Sequence, residues 1–253
     1  MDKRVSRIYD KLFSRYGHQN WWPIVEKGHC SYLDEYRKRE RTDSEIFEIM
    51  IGSILTQNTS WENAAKALSK IKEESFMDPA VLSSLEIPRL AGIIKGSGYY
   101  NQKARKIAAL SRFLNGSSRG IQGFREFSLD DARKMLLSVW GIGKETADSI
   151  LLYGFYFLIF VIDAYTLRLF SRIGIESAGK GYDALQKHIM DNIPADRVLY
   201  QDFHALIVLL GKNVCRKEPS CDVCILSGMC LFAEKKTGYA QKSTKLRTAG
   251  DMS

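Results

Sequence analysis

Apolar positions recur at helical spacing along most of this chain and alternate with polar ones almost nowhere. Residues 5–16 place Ile8, Leu12 and Phe13 on one face with basic residues opposite, which predicts an amphipathic helix. Residues 45–55 (EIFEIMIGSIL) are apolar nearly all round and predict a buried helix capped by Asp43 or Ser44. Helices over 61–71 and 80–85 follow, then a short one opened by Pro88. Residues 130–137, 164–173, 182–192 and 197–211 complete the helical set, with Asp163 placed to cap the third from last. The most apolar run, residues 151–162, is too short to span a bilayer and is interrupted by Gly154. The pattern predicts an all-α protein.

Composition changes this picture little, and charge changes it more. An apolar fraction of 45% and a charged fraction of 26% are ordinary for a globular chain. The net charge of +8 favours a polyanionic partner. No apolar segment follows the basic residues at the amino terminus, so the expected location is cytoplasmic, nucleoid-associated in a prokaryote. The stretch from Lys235 is polar, basic and without period, and predicts a disordered arm.

Three local patterns carry chemistry. Gly141-Ile142-Gly143 is a tight turn between two predicted helices, and the second helix starts with N–H groups lacking intrahelical acceptors. That is a phosphate-sized anion site built from backbone, although an ordinary αα-hairpin has the same look. Cys215, Cys221, Cys224 and Cys230, spaced C-x5-C-x2-C-x5-C, can wrap one metal centre, and zinc or iron–sulfur suits four thiolates equally. Cys30 is left over and reads as a small apolar residue. Trp21 and Trp22, adjacent in an irregular stretch, must pack on a core or line a pocket. The four histidines are scattered and suggest no ligand pair.

The motif L-x-x-V-x-G-I-G-K-x-T-A-D followed by V-I-D-A-Y resembles the hairpin and catalytic loop of the endonuclease III (HhH-GPD) superfamily of DNA glycosylases. The resemblance covers roughly residues 46–230. It implies two helical domains with a DNA cleft between them. A six-helix domain would span 44–158, with a helix-hairpin-helix at 130–157. Residues 1–43 and 159–232 would form an iron–sulfur domain, and 233–253 the tail. The cysteines resemble the family's C-x6-C-x2-C-x5-C loop, one residue shorter in the first gap, which implies a [4Fe-4S] cluster; zinc is the alternative.

The same resemblance assigns roles. Asp163 becomes the catalytic carboxylate. Gln57 corresponds to the glutamine that fills the gap left by a flipped nucleotide, and Tyr99 to a second wedge residue. Gly141, Gly143, Lys144 and Thr146 belong to the hairpin that holds DNA. Lys103, with Arg105 and Lys106, would neutralise phosphates. Members that also cleave the strand carry a lysine where this chain has Glu145; Lys144 is one residue early, about 100° around the helix. The expected activity is therefore monofunctional excision of a damaged base, with Asp163 activating water. Glu145, Trp21 and Trp22 near the base pocket would suit a cationic alkylated purine such as 3-methyladenine. A bifunctional enzyme with AP lyase activity on oxidised pyrimidines is the alternative, and a non-catalytic DNA-binding module a second one. The expected partner is double-stranded DNA with a damaged base, met by a monomer without membrane attachment.

Overall fold

The computed structural model describes residues 2–26 and 28–237. Among the described residues twelve α-helices and one two-stranded sheet form two compact units. No helix among them is long and apolar enough to cross a membrane.

One unit comprises residues 20–161 and 196–201. It opens with strands β1 (Ile24–Glu26) and β2 (His29–Ser31), paired antiparallel with Val25 opposite Cys30. Seven helices follow: α2 (Asp43–Leu55), α3 (Trp61–Glu73), α4 (Pro79–Ser84), α5 (Ile87–Ile93), α6 (Tyr100–Asn115), α7 (Leu129–Ser138) and α8 (Lys144–Tyr153). The cap of α2 is Thr42, not Asp43 or Ser44: Thr42 and Glu45 form a reciprocal capping box, satisfying two orphan N–H groups. Every residue from Ile46 to Leu55 is buried, so α2 is the central rod of this unit. The one carboxylate in that buried stretch, Glu48, is fixed by the backbone N–H of Val25 at 2.6 Å and by the ammonium of Lys72. Burial still raises the Glu48 pKa despite these partners.

Residues 20–43 cluster with this unit, whereas the sequence suggested that they join the cysteine-bearing one. The reason lies in their apolar anchors. Trp22 packs on Trp61 and Tyr153, and Gly52 leaves room for its indole on α2. The buried Arg41 donates to the Trp22 carbonyl at 2.6 Å. Strands this short escaped the search for alternation, which needs a longer run.

The other unit comprises residues 2–19, 162–195 and 202–237 of the described chain. It contains α1 (Lys3–Tyr16), α9 (Ala164–Ile173), α10 (Tyr182–Met190), most of α11 (Arg197–Asn213) and α12 (Leu231–Thr237). Val5, Ile8 and Leu12 bury the apolar face of α1; Ile8 and Leu12 lie where periodicity predicts, whereas Phe13 is half-buried. Residues 233–237, expected to belong to the tail, are helical within α12, and 238–253 lie outside the described residues.

Candidate DNA-repair site

Helices α7 and α8 are joined by Val139 to Gly143. Ser128 caps α7, and Val139 and Ile142 turn inward as buried anchors of the turn. Gly141 has φ +89°, and a Cβ there would stand 2.3 Å from Cγ of Lys106, so glycine is required on both counts. Arg133 of α7 grips the fully buried Asp148 of α8 through two bonds of 2.7 and 3.0 Å, which fixes the angle of the hairpin. Lys144 and Glu145 both stand exposed in the first turn of α8.

Gln57, just beyond α2, is drawn onto this hairpin. Its side-chain amide donates to the Thr146 hydroxyl at 2.9 Å and to the Gly141 carbonyl at 3.4 Å, while its oxygen accepts from Lys106. Thr146 is buried and faces Gln57, which corrects its assignment as a DNA contact: a hydroxyl turned inward cannot reach phosphate. Tyr99, the residue before α6, is 71% exposed and holds φ +46°, a left-handed conformation uncommon for a residue with a Cβ.

Lys103 requires a second correction. It is 2% exposed, and its ammonium donates to the carbonyls of Leu55 at 2.8 Å and Ser97 at 2.5 Å. Burial, and secondarily the like charge of Lys106, lowers its pKa to about 8. It is an internal brace between the end of α2 and the turn before Tyr99, not a phosphate ligand. Arg105 is exposed and Lys106 half-buried.

The tryptophans divide. Trp22 is 4% exposed in the core, which corrects its place in a base pocket. Trp21 is half-buried, with ring centroids 4.9 Å from Trp61 and 6.2 Å from the exposed Tyr32. Cys30 is half-buried rather than buried.

In the other unit Asp163 caps α9. Its Oδ1 accepts from the Thr166 N–H at 2.7 Å and the Thr166 hydroxyl at 2.8 Å, and its Oδ2 lies 3.7 Å from Nε2 of His204. Burial pushes this carboxyl up, but His204 first and Thr166 second outweigh burial, and the net pKa falls below the ordinary aspartate value. His204 was not legible in the sequence: nothing local marks it, and only the packing of α11 brings it to Asp163.

The four clustered cysteines, none in a disulfide, line one cavity with Leu169, Arg172 and Leu226. Two arginines of α9 organise its rim. Arg168 donates to the carbonyls of Cys215 and Gly211, both at 2.9 Å. Arg172 reaches the Cys215 sulfur at 3.2 Å and the carbonyls of Arg216 and Lys217 at 2.6 and 2.8 Å. Burial raises the thiol pKa of Cys224 and Cys230, and the neighbouring cysteines push the same way. Among the described residues no three Cys, His, Asp or Glu groups are gathered so as to hold a single metal ion.

Residues 51–195 match the family described as HhH-GPD superfamily base excision DNA repair protein. A candidate DNA repair glycosylase of Methanocaldococcus jannaschii is 35% identical over 229 residues, 90% of this chain and 96% of its own. Endonuclease III of Thermotoga maritima is 28% identical, over 78% of this chain and 88% of its own. Among solved structures, the 3-methyladenine DNA glycosylase of H. pylori bound to 1,N6-ethenoadenine is 27% identical with a TM-score of 0.66, over 82% of this chain and 97% of that one. An endonuclease III–DNA covalent intermediate shares the fold at 20% identity, with a TM-score of 0.73 over 94% of this chain and 99% of that one. The chain belongs to the HhH-GPD superfamily of base excision DNA repair proteins, as an enzyme of the DNA glycosylase type.

Proposed function

We propose that the enzyme is a monofunctional glycosylase that hydrolyses the N-glycosidic bond of an alkylated purine flipped out of duplex DNA. The observation that carries this reading is Glu145: an exposed carboxylate occupies the position on the first turn of α8 where an amine would be needed for a Schiff base. In the chemistry we assign, the bond from C1′ to the base nitrogen breaks, positive charge builds on the sugar, and the cationic alkylated base leaves as a neutral molecule with the bonding electrons. The Asp163 carboxylate, kept ionised by His204 and Thr166, stabilises that charge and accepts a proton from the water that adds to C1′. The glycine hairpin, with Lys144, would hold the backbone of the duplex, and Tyr99 and Gln57 would fill the space the base leaves. Trp21 with Tyr32 offers aromatic faces suited to a cationic base. The alkylpurine glycosylase of H. pylori, at 27% identity, supports the same substrate class.

Cys215, Cys221, Cys224 and Cys230 would hold a [4Fe-4S] cluster. Their fit rests on one feature: all four thiols line one cavity, and four thiolates are the donor set such a cluster takes. Bound there, the group would tie together the segment between α11 and α12, against the face of α9 that carries Leu169 and Arg172. Iron and sulfide analysis of the purified protein tests this, and stoichiometric zinc without iron would overturn it.

A second reading has one observation in its favour: Lys144 is also exposed on that first turn. It would supply the amine of a bifunctional enzyme acting on oxidised pyrimidines. Duplexes carrying 3-methyladenine, 7-methylguanine, thymine glycol, thymine opposite guanine or an abasic site separate the two. Base release with strand breaks only after alkali is the expected result. Direct nicking with an adduct trapped by borohydride would overturn the monofunctional reading.

A further inference from the structure

We infer that Trp140 is a DNA-stacking residue of this enzyme, seating its indole against a nucleotide of the strand held by the glycine hairpin; this rests on the hairpin's proposed role in holding duplex DNA. Of the four tryptophans, all within the described residues, Trp140 alone is more than half exposed, at 56%. The other three pack on one another between α2, α3 and β1. An indole left in water at the tip of a structural turn has no packing role there, and leaving so large an apolar ring wet is costly.

The turn presents that ring rigidly. Val139 and Ile142 on either side are both buried, and the Ile142 N–H donates to the Val139 carbonyl at 3.1 Å. Gly141 sits over the Lys106 side chain with no room for a Cβ, so the backbone cannot shift toward it. Trp140 is therefore held outward between fixed neighbours. Leu137, near the end of α7 and three residues earlier in the chain, is also exposed. Lys144 stands exposed four residues on, and the side chain of Lys134 is 79% exposed. An exposed aromatic face on a turn flanked in sequence by two exposed lysines, continuous with a backbone anion site, matches nucleic acid: charge for phosphate and a π-face for a base or sugar. An apolar protein partner would not call for the lysines.

Acrylamide quenching of tryptophan fluorescence, with and without a duplex carrying a non-hydrolysable abasic-site analogue, tests this directly. The quencher-accessible emission should fall in Trp140→Phe without DNA, and the protection gained when the duplex is added should be larger in the wild type than in Trp140→Phe, which retains the half-buried Trp21. Trp140→Ala should bind the duplex roughly ten-fold more weakly, within the range for loss of one stacked base. Its salt dependence should stay unchanged, while Lys144→Gln should lower the slope of log K against log salt by about one. Trp140→Phe should retain most of the affinity, and an unchanged melting temperature for both Trp140 variants would exclude misfolding. Unaltered binding by Trp140→Ala with no protection of the wild-type indole would overturn the inference and leave the hairpin's role standing. Loss of self-association in Trp140→Ala, with DNA binding intact, would overturn it in favour of a contact between copies. Absence of any duplex binding by the wild type would overturn both.

Discussion

Asp163 at the cap of α9 and His204 within α11 stand with Oδ2 and Nε2 3.7 Å apart, both buried. That distance is long for a hydrogen bond but close for an electrostatic pair. Asp163→Asn keeps the cap but loses the charge. It should reduce single-turnover base release by at least about a hundred-fold while duplex affinity changes little. Full activity in this variant would overturn the assignment of Asp163.

The same pair sets a pH dependence. The folded-state pKa of Asp163 lies below its ordinary value, so its contribution to stability is present above about pH 4 and is lost as pH falls through the folded value. His204→Ala removes the largest of the effects that hold the carboxyl down and leaves burial to push it up. The acidic limb of the excision profile should then move toward neutral pH, measured as single-turnover rate against pH. A coincident profile would show that His204 has no hold on Asp163.

Lys103 braces two turns at once, through the carbonyls of Leu55 and Ser97. Lys103→Met leaves both buried carbonyls unmet, at a cost of about 1–3 kcal/mol each, and should lower the melting temperature by several degrees. The sign with pH is the same as that of Asp163, but the window is alkaline. With a folded pKa of about 8 against 10.5, the unfolded chain binds the proton more tightly, so this group's contribution rises with pH between those values. NMR titration should find the Lys103 ammonium near pH 8, and Lys106→Gln should raise that value while leaving it below 10.5.

Gly141→Ala meets both a positive φ and the Lys106 side chain. Thermal unfolding should show a loss of about 1–3 kcal/mol from the backbone alone, and duplex binding should weaken with it. A variant as stable as the wild type would mean the turn can relax.

Asp148→Ala strands Arg133 beside an emptied, buried site. Removing one partner of such a pair costs about 3–5 kcal/mol, which chemical denaturation can read. A loss under about 1 kcal/mol would show that water replaces the carboxylate.

The helices and the glycine turn were legible because their signals are local. Periodicity placed α1, α2, α9 and α11, Asp163 read correctly as a cap, and the family resemblance gave the fold. Lys103 and Thr146 misled for one physical reason: both lie in a segment that looks basic or polar on paper, and the direction of a single side chain decides whether it meets water. For Trp22 the deciding contact was Gly52 on α2, which sequence distance hides. The boundary near residue 43 was misplaced because two three-residue strands carry too few positions for a period.

By itself the sequence determined the helical class, the C-x5-C-x2-C-x5-C set, the hairpin glycines and the Lys144-Glu145 pair that follows them, since each depends on residues within one or two turns of chain. Tertiary structure alone decided that Gln57 is tied to Thr146, that Lys103 is an internal brace, that His204 faces Asp163, and that Trp140 rather than Trp22 stands in water. These are properties of burial and of pairs remote in sequence, where desolvation and packing select one side-chain orientation that no local pattern encodes.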